Sequence, residues 1–478
     1  MTKREFDFDV AIIGGGPGGM FTAYELINLY PKIRIAIFEK GKRVEQRHCP
    51  EKDLGKCQKC NPCHIMCGMS GAGAFSDGKE TLCLPNDQEV LVGGNLHLYT
   101  GINSFKELVS YVDEINLKFG ATTKIEGIGN EEKISILKKN AIRNGISLAN
   151  PPIRHLGTEK AHLIFEKIQN VLEDKGVQLF TESTCNSLII KDNKFRGFNL
   201  SDGTTITAKA AVLAVGRVGS NWLFNECTKN NIKTVPGPID LGVRYELRNE
   251  VMKEVNTLMY EGKFFANPSP FTDKVRTFCQ NPGGFVTTES YDDPILGPLV
   301  MCNGHSNKEV KSENTNLALL VTIGLGNTYL NPGKYARLIA HQLNAISDTD
   351  SSSIIVQRLG DLKSGNRTRI NGLKSNSVHP TLHSAIPGDL NLGMPARVMT
   401  DIVNFIDMLD KVIPGFASPD NLLYALEAKF SSNIIKLSDQ LETSVSGLYA
   451  IGDGAGLSRG LMQASASGIY VARNIKIN

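Results

Sequence analysis

The sequence predicts an α/β chain: a Rossmann-like domain assembled from separated stretches, with a mixed α+β domain set between them. Three observations carry that expectation. The apolar run Val10-Ala11-Ile12-Ile13 leads directly into Gly14-Gly15-Gly16-Pro17-Gly18-Gly19. Near the other end, Gly447-Leu448-Tyr449-Ala450-Ile451 closes on Gly452-Asp453-Gly454-Ala455-Gly456. Between them, Ala210-Ala211-Val212-Leu213-Ala214-Val215 ends on Gly216 and Arg217. Uninterrupted apolar runs of this kind are strands buried on both faces, the mark of a parallel sheet.

The first motif reads as strand, turn and helix. Glycines at 14, 16 and 19 have the GxGxxG spacing: one for the tight turn, one for close backbone approach to a pyrophosphate, one for helix–strand packing. The helix expected from about Gly18 to Tyr30 offers unpaired N–H groups and the positive end of its dipole to phosphates. A second strand, Arg34 to Phe38, ends at Glu39, which lies 20 residues beyond Gly19, where a ribose-binding carboxylate belongs. A chance glycine-rich turn would not be expected to bring strand, helix and acid with it.

The C-terminal motif decides between dinucleotides. Asp453 is placed to bond a ribityl hydroxyl. The turn Arg459-Gly460-Leu461-Met462 opens a small-residue helix, Gln463-Ala464-Ser465-Ala466-Ser467-Gly468, whose N–H groups would face a flavin pyrimidine ring. The pair of motifs therefore points to FAD. The strand ending at Gly216 follows an expected three-strand meander with turns at Asp192-Asn193 and Asp202-Gly203. A meander beside a Rossmann-like half, with a return to that half at the C-terminus, resembles the glutathione-reductase-type flavoproteins.

Composition narrows the class. A chain of 478 residues is too long for one simple core. Lys and Arg number 52 against 49 Asp and Glu, so no basic footprint suggests nucleic acid, and a flavin-dependent RNA modifier is disfavoured. Met1-Thr2-Lys3-Arg4-Glu5 runs into the first strand without an apolar signal region, and Leu317 to Ile323 is core-sized. No membrane span and a cytoplasmic location are expected.

Of ten cysteines, six fall between positions 49 and 83. Cys57, Cys60, Cys63 and Cys67 have the C-x2-C-x2-C-x3-C spacing of bacterial ferredoxins, with Gly68 where that run has proline. In two-cluster ferredoxins the fourth cysteine serves the other cluster. Cys49, followed by Pro50, is therefore the preferred fourth ligand of a [4Fe–4S] cluster, with Cys67 second. Structural zinc assisted by His48 or His64, disulfides, and plain burial are the competing readings. The stretch that follows, Gly68-Met69-Ser70-Gly71-Ala72-Gly73-Ala74-Phe75-Ser76-Asp77-Gly78-Lys79, has the small residues of a backbone passing tightly along a ligand.

With these motifs assembled, the chain resembles the FAD-dependent dehydrogenases related to geranylgeranyl reductases. Besides the motifs above, the resemblance rests on Phe38-Glu39-Lys40-Gly41-Lys42, Arg154-His155-Leu156-Gly157-Thr158, Arg276-Thr277-Phe278-Cys279-Gln280-Asn281-Pro282-Gly283-Gly284 and Cys302-Asn303-Gly304-His305-Ser306. It covers nearly the whole chain and implies an FAD fold and a redox activity on a substrate the family does not specify. The expected cofactor contacts are Gly14, Gly16, Pro17, Gly18, Gly19, Glu39, Lys40, Gly71, Gly73, Ser76, Gly216, Gly452, Asp453, Arg459, Gly460 and Leu461. Some family members lack the cysteine run, which makes any cluster an accessory. Relatives often carry a cysteine where this chain has Asn281, so a Cys-x-Cys pair with Cys279 is not expected.

The expected organisation is an FAD-binding domain in three parts, 1–103 (with a Cys-rich insertion at 49–83), 151–234 and 426–478. A helical insertion occupies 104–150 and a substrate or cap domain 235–425. In the latter, Leu241 to Glu246 and Gly284 to Thr288 alternate as strands, while Tyr335 to Ala345 and Ala396 to Val412 have helical periodicity. Arg276, Cys279 and His305 are the candidate catalytic residues, as anion clamp, nucleophile and proton relay. For each residue singly, a buried or loop role is the simpler reading. His379 and His383 are separated by Pro380, which breaks the helix that metal ligation at that spacing needs. Gly324-Leu325-Gly326-Asn327 lacks the third glycine of a second dinucleotide loop. NAD(P)H is therefore expected only as a transient donor, alongside a protein such as ferredoxin. The sum is an FAD oxidoreductase moving hydride between flavin and an organic substrate. The alternative is an electron-transfer subunit with no small-molecule substrate.

Overall fold

The structure, a computed structural model, describes residues 6–50, 60–75, 78–82, 93–157, 160–293, 297–305, 310–323, 332–347, 354–430 and 433–477. The chain divides into two compact units: Met1–Glu126, Pro151–Gly237 and Ser432–Asn478 form one, Gly127–Asn150 and Pro238–Ser431 the other. The stretch 104–150, expected as one helical insertion, is thereby split. Its helix Ile102–Lys118 belongs to the first unit and its helix Glu131–Arg143 to the second.

The first unit is built on a parallel sheet. Phe8–Ile13 lies between Ile35–Phe38 and Thr205–Leu213; Gln178–Phe180 extends one side and Leu448–Ala450 the other, all five parallel. Val10, Ala11 and Ile12 are fully buried, as a strand covered on both faces requires. The Thr205–Leu213 strand has a second role. Its N-terminal end pairs antiparallel with Lys194–Leu200, which pairs with Cys185–Lys191, giving the expected meander. Asp192 and Asn193 both take positive φ (51° and 54°) at the first turn, the primed geometry that matches strand twist.

Two helices press on one another here, Pro17–Leu29 and Leu461–Asn474. A Cβ at Gly468 would sit 2.2 Å from the Gly18 carbonyl oxygen. The small size of Gly468 thus answers to the first helix. Sequence reading had assigned the small residues of this helix to a ligand; at Gly468 the neighbour is protein backbone.

A smaller sheet joins Lys79–Thr81, Ile153–His155 and Ile125–Glu126. Its central side chain, Glu80, is fully buried, and Asn116 Nδ2 donates to both carboxyl oxygens at 2.7 and 2.9 Å. Arg154, opposite Glu80, is spent on Asp113 at 2.5 and 2.8 Å. Burial, reinforced by Asp113, pushes Glu80 up to about 8. The folded state therefore holds a proton that the unfolded chain releases near the ordinary carboxylate range. Its contribution to stability is complete below that range and is lost as pH rises toward 8. Replacing Glu80 with Gln should flatten that loss, raising stability at pH 8 relative to the parent by on the order of 2 kcal/mol and changing it little at pH 4. Urea melts of both proteins across that range measure the difference.

The second unit carries an eight-stranded, mostly antiparallel sheet ordered Ile386–Pro387, Ile355–Arg358, Leu422–Phe430, Ile239–Arg248, Asn314–Ile323, Lys274–Pro282, Lys263–Ala266 and Ser147–Ala149. Beside it lies the hairpin Phe285–Asp293 and Gly297–His305. The two strands expected from alternation fall in Ile239–Arg248 and Phe285–Asp293; the two helices are Pro332–Ile346 and Ala396–Asp410. Leu241, Val243, Tyr245 and Leu247 enter the apolar core. The intervening residues are buried as well, which alternation did not foretell. Arg244 is fully buried, bonding Asn316 Oδ1 at 2.8 Å and the Cys279 carbonyl at 2.6 Å, with Glu427 at 3.3 Å. Glu246 is tied to Thr381, Asn314 and Tyr424. Buried ions persist only when paired and hydrogen-bonded in this way.

Candidate functional site

Each glycine of the N-terminal turn has its own reason. Gly14 has φ +107°, and a Cβ there would lie 2.4 Å from the Ala214 carbonyl oxygen. A Cβ at Gly19 would meet Gly14 O at 2.1 Å, and one at Gly18 would press Ala464 O and Ile451 at 3.2 Å. These three are glycine because protein backbone occupies the space. Gly16 differs: its φ of −70° suits any residue, and the nearest atom to an added Cβ is Gly71 Cα at 4.0 Å. Gly16 is also the N-cap of the Pro17–Leu29 helix, without a side-chain cap, with Pro17 opening the helix and no acid in the first turn. Unpaired N–H groups, a positive helix end and a glycine the protein itself does not need make a cradle for a phosphate group. The pyrophosphate of FAD fits these residues.

Glu39 ends the second strand and is buried. Its carboxylate accepts from three backbone N–H groups: Gly15 at 2.8 Å, Gly41 at 2.9 Å and Gly68 at 2.9 Å. The acid expected to hold a ribose thus ties the phosphate turn, its own strand end and the Cys-rich segment together. A carboxylate offers about four acceptor positions, so a hydroxyl can still be received. Lys40 beside it hydrogen-bonds the Cys67 thiol.

The segment after residue 60 packs onto this turn. Ser70 N donates to Gly15 O at 2.7 Å, and Gly71 faces Gly16 and Pro17. A Cβ at Gly73 would strike Leu461 Cδ2 at 2.1 Å. Arg47 organises the segment, and sequence reading passed over it. Its buried guanidinium donates to the carbonyls of His64, Ile65, Met69 and Gly71 at 2.6–2.9 Å and lies 4.4 Å over the Phe75 ring. Burial lowers it to about 10. An arginine just ahead of a cysteine run carries no periodic signal that would reveal this.

Cys49 and Cys60 are half-buried, Cys63 is exposed and Cys67 is buried, with Cys67 N bonded to Cys63 O at 2.9 Å. Burial pushes the Cys67 thiol up. Cys57 and Ser76 lie outside the described residues. Among the described residues no group of three or more His, Cys, Asp or Glu is arranged to hold a metal.

At the C-terminal motif, Gly452 has φ +71° and Asp453 follows. Asp453 accepts from Ser458 Oγ at 2.6 Å and pairs with Arg217 at 3.4 Å. Burial pushes its pKa up, against the pull of Arg217, Ser458 and Arg459. Gly216 lies close by, its carbonyl oxygen 2.7 Å from where a Gly454 Cβ would stand. Arg459 N bonds Gly93 O at 2.7 Å, and Gly460 caps the Leu461–Asn474 helix without a side-chain bond. This helix end forms one wall of a cleft of about 300 Å³ lined also by Lys79, Thr81, Phe105 and Gln463.

The candidate catalytic residues lie in the second unit. Arg276 pairs with Asp240 at 2.7 Å and covers the Phe278 ring at 4.7 Å, so its guanidinium is engaged within the protein. Cys279 sits at a bulge between Phe278 and Asn281, half-buried, with φ +48°. A non-glycine residue in the left-handed region is a strained conformation held by its surroundings, here by Arg244 on its carbonyl. His305 is exposed, at the end of the hairpin opposite Phe285. Among the described residues no hydrogen bond or ion pair joins Arg276, Cys279 and His305 to one another.

Residues 241–430 match the family model described as FAD-dependent protein, C-terminal domain-like. A protein of Clostridium beijerinckii described only as uncharacterized is 26% identical over 488 residues, spanning 97% of this chain and 80% of its own length. Among solved structures, glycine oxidase from Geobacillus kaustophilus shares 12% identity over 98% of this chain and 94% of its own, with a TM-score of 0.38. A geranylgeranyl bacteriochlorophyll reductase-like protein from Thermoplasma acidophilum shares 11% over 98% and 77%, with a TM-score of 0.34. Likeness at that level does not by itself fix a topology.

Proposed function

Residues 241–430 belong to the FAD-dependent, C-terminal domain-like family, and from that premise we infer that the chain is an FAD-dependent oxidoreductase acting on an organic substrate. The observation that carries the inference is Gly16: a glycine that no neighbouring atom requires, at an uncapped helix start beside the parallel strands. Gly14, Gly18 and Gly19 shape the turn, and the N–H groups after Gly16 and Pro17 receive the pyrophosphate. Glu39, with Lys40 alongside, meets the adenosine ribose. Gly71 and Gly73 bring the second backbone wall close. Asp453 exchanges Arg217 or Ser458 for a ribityl hydroxyl, beside Gly216 and Gly452, while Arg459, Gly460 and Leu461 present the helix end to the pyrimidine ring. FAD supplies hydride acceptance and donation, and the protein supplies orientation and electrostatics.

The second unit is the proposed substrate domain. Cys279, poised at its bulge, is the residue there best placed to meet a substrate, and Arg276 serves Asp240 first. For the cysteine run, a [4Fe–4S] cluster held by Cys57, Cys60, Cys63 and either Cys49 or Cys67 is proposed on spacing. The described thiols do not converge on one point, so the flavin chemistry is derived without it.

Anaerobic purification followed by a visible spectrum and iron and acid-labile sulfide assays tests both parts. Flavin bands are expected. A chain that purifies without flavin and takes up none when FAD is added overturns the oxidoreductase reading. About four irons and four sulfides per chain would support the cluster; flavin without iron removes it and leaves the rest standing.

A further inference from the structure

The cleft at the start of the Leu461–Asn474 helix is lined by donors. Strand alternation sends Glu80 to the buried side, into Asn116, and leaves Lys79 and Thr81 on the opposite face, toward the cleft. Across from them stand Gly460, Leu461, Met462 and Gln463, the first turn of a 14-residue helix with no side-chain cap and no acid in that turn. Phe105 supplies an apolar wall. The lining thus offers an ammonium, a hydroxyl and helix-end N–H groups, and no carboxylate. Lys79 is its one charged member. Such a lining favours a flat, electron-rich group that gains negative charge.

Resting on the FAD reading above, we propose that Lys79 is the charge partner of the reduced flavin, holding the negative charge that its pyrimidine ring acquires. Reduction by two electrons and one proton converts neutral oxidised flavin to an anion. A fixed cation beside the ring stabilises that product and not the oxidised form. Lys79 is accordingly a potential-setting residue, and Glu80 positions it by anchoring the strand between Asn116 and Arg154.

The test is a redox titration of the holoprotein against a reference dye, comparing the parent with Lys79→Met and Lys79→Arg. Lys79→Met should retain FAD and shift the oxidised-to-reduced equilibrium about tenfold toward oxidised flavin, roughly 30 mV for a two-electron couple. Lys79→Arg should keep most of the parent value. Equal potentials in the parent and Lys79→Met, with FAD bound in both, overturn the proposal. Lys79→Gln is the second neutral variant if Lys79→Met fails to fold. A parent protein that binds no FAD at all defeats the underlying reading, a result plainly different from an unshifted potential.

Discussion

Gly16→Val should yield a protein as stable as the ligand-free parent that binds FAD at least 100-fold more weakly. The two halves of that result follow from one distance. An added Cβ at Gly16 meets nothing nearer than Gly71 Cα at 4.0 Å, and its φ of −70° is open to any residue. The folded chain has no objection to the side chain; only a ligand drawn close to the helix start does. A 100-fold loss is about 2.7 kcal/mol, well within what several backbone hydrogen bonds to a phosphate group can lose. Flavin fluorescence titration measures the affinity, and thermal melts of flavin-free protein measure the stability. The contrast with Gly19→Val sharpens it, because a Cβ there lies 2.1 Å from Gly14 O and must disturb the turn itself. Unchanged FAD affinity in Gly16→Val would mean that no phosphate approaches this backbone.

The second large effect is at Glu39. Glu39→Ala should destabilise the protein by roughly 3–5 kcal/mol, because it strands the N–H groups of Gly15, Gly41 and Gly68 in a buried site. Glu39→Gln keeps an acceptor oxygen but turns the other end into a donor facing N–H groups, and should fall between. Denaturant melts of flavin-free protein give the ranking. Were Glu39 only a ribose ligand, Glu39→Ala would weaken FAD binding and leave the flavin-free melt where it was.

These two residues also show what the sequence disclosed. Phe8–Ile13, its glycine turn and the helix after it were legible because each local signal agreed with the next: an apolar run, a fixed glycine spacing, an uncapped helix start. The meander was legible at Asp192-Asn193, where two residues suited to positive φ interrupt two apolar runs. Glu39 was legible as an acid at the right distance, but not as the knot between three segments. That knot depends on Gly68 returning to the strand end, a contact across 29 positions that no periodicity encodes. Arg47 and the Glu80–Asn116 pair were hidden for the same reason. Each is a polar group whose partner is chosen by tertiary folding, so each read as an ordinary charged residue. The alternation at Leu241 to Glu246 announced a strand correctly and its exposure wrongly, because Arg244 and Glu246 find partners that let both faces be buried.

The Thr205–Leu213 strand imposes an order in time. Its neighbours in the parallel sheet come from opposite ends of the chain, Phe8–Ile13 on one side and Leu448–Ala450 on the other. During synthesis, at about 5–20 residues per second, the edge at Ala211 to Leu213 waits unpaired while some 240 further residues are made. Meanwhile the other unit, nearly continuous in sequence from Pro238 to Ser431, has all its strands in hand. The ribosome therefore delivers the second unit whole before the first can close, and the half-built sheet is the point at which a chaperone would be of most use.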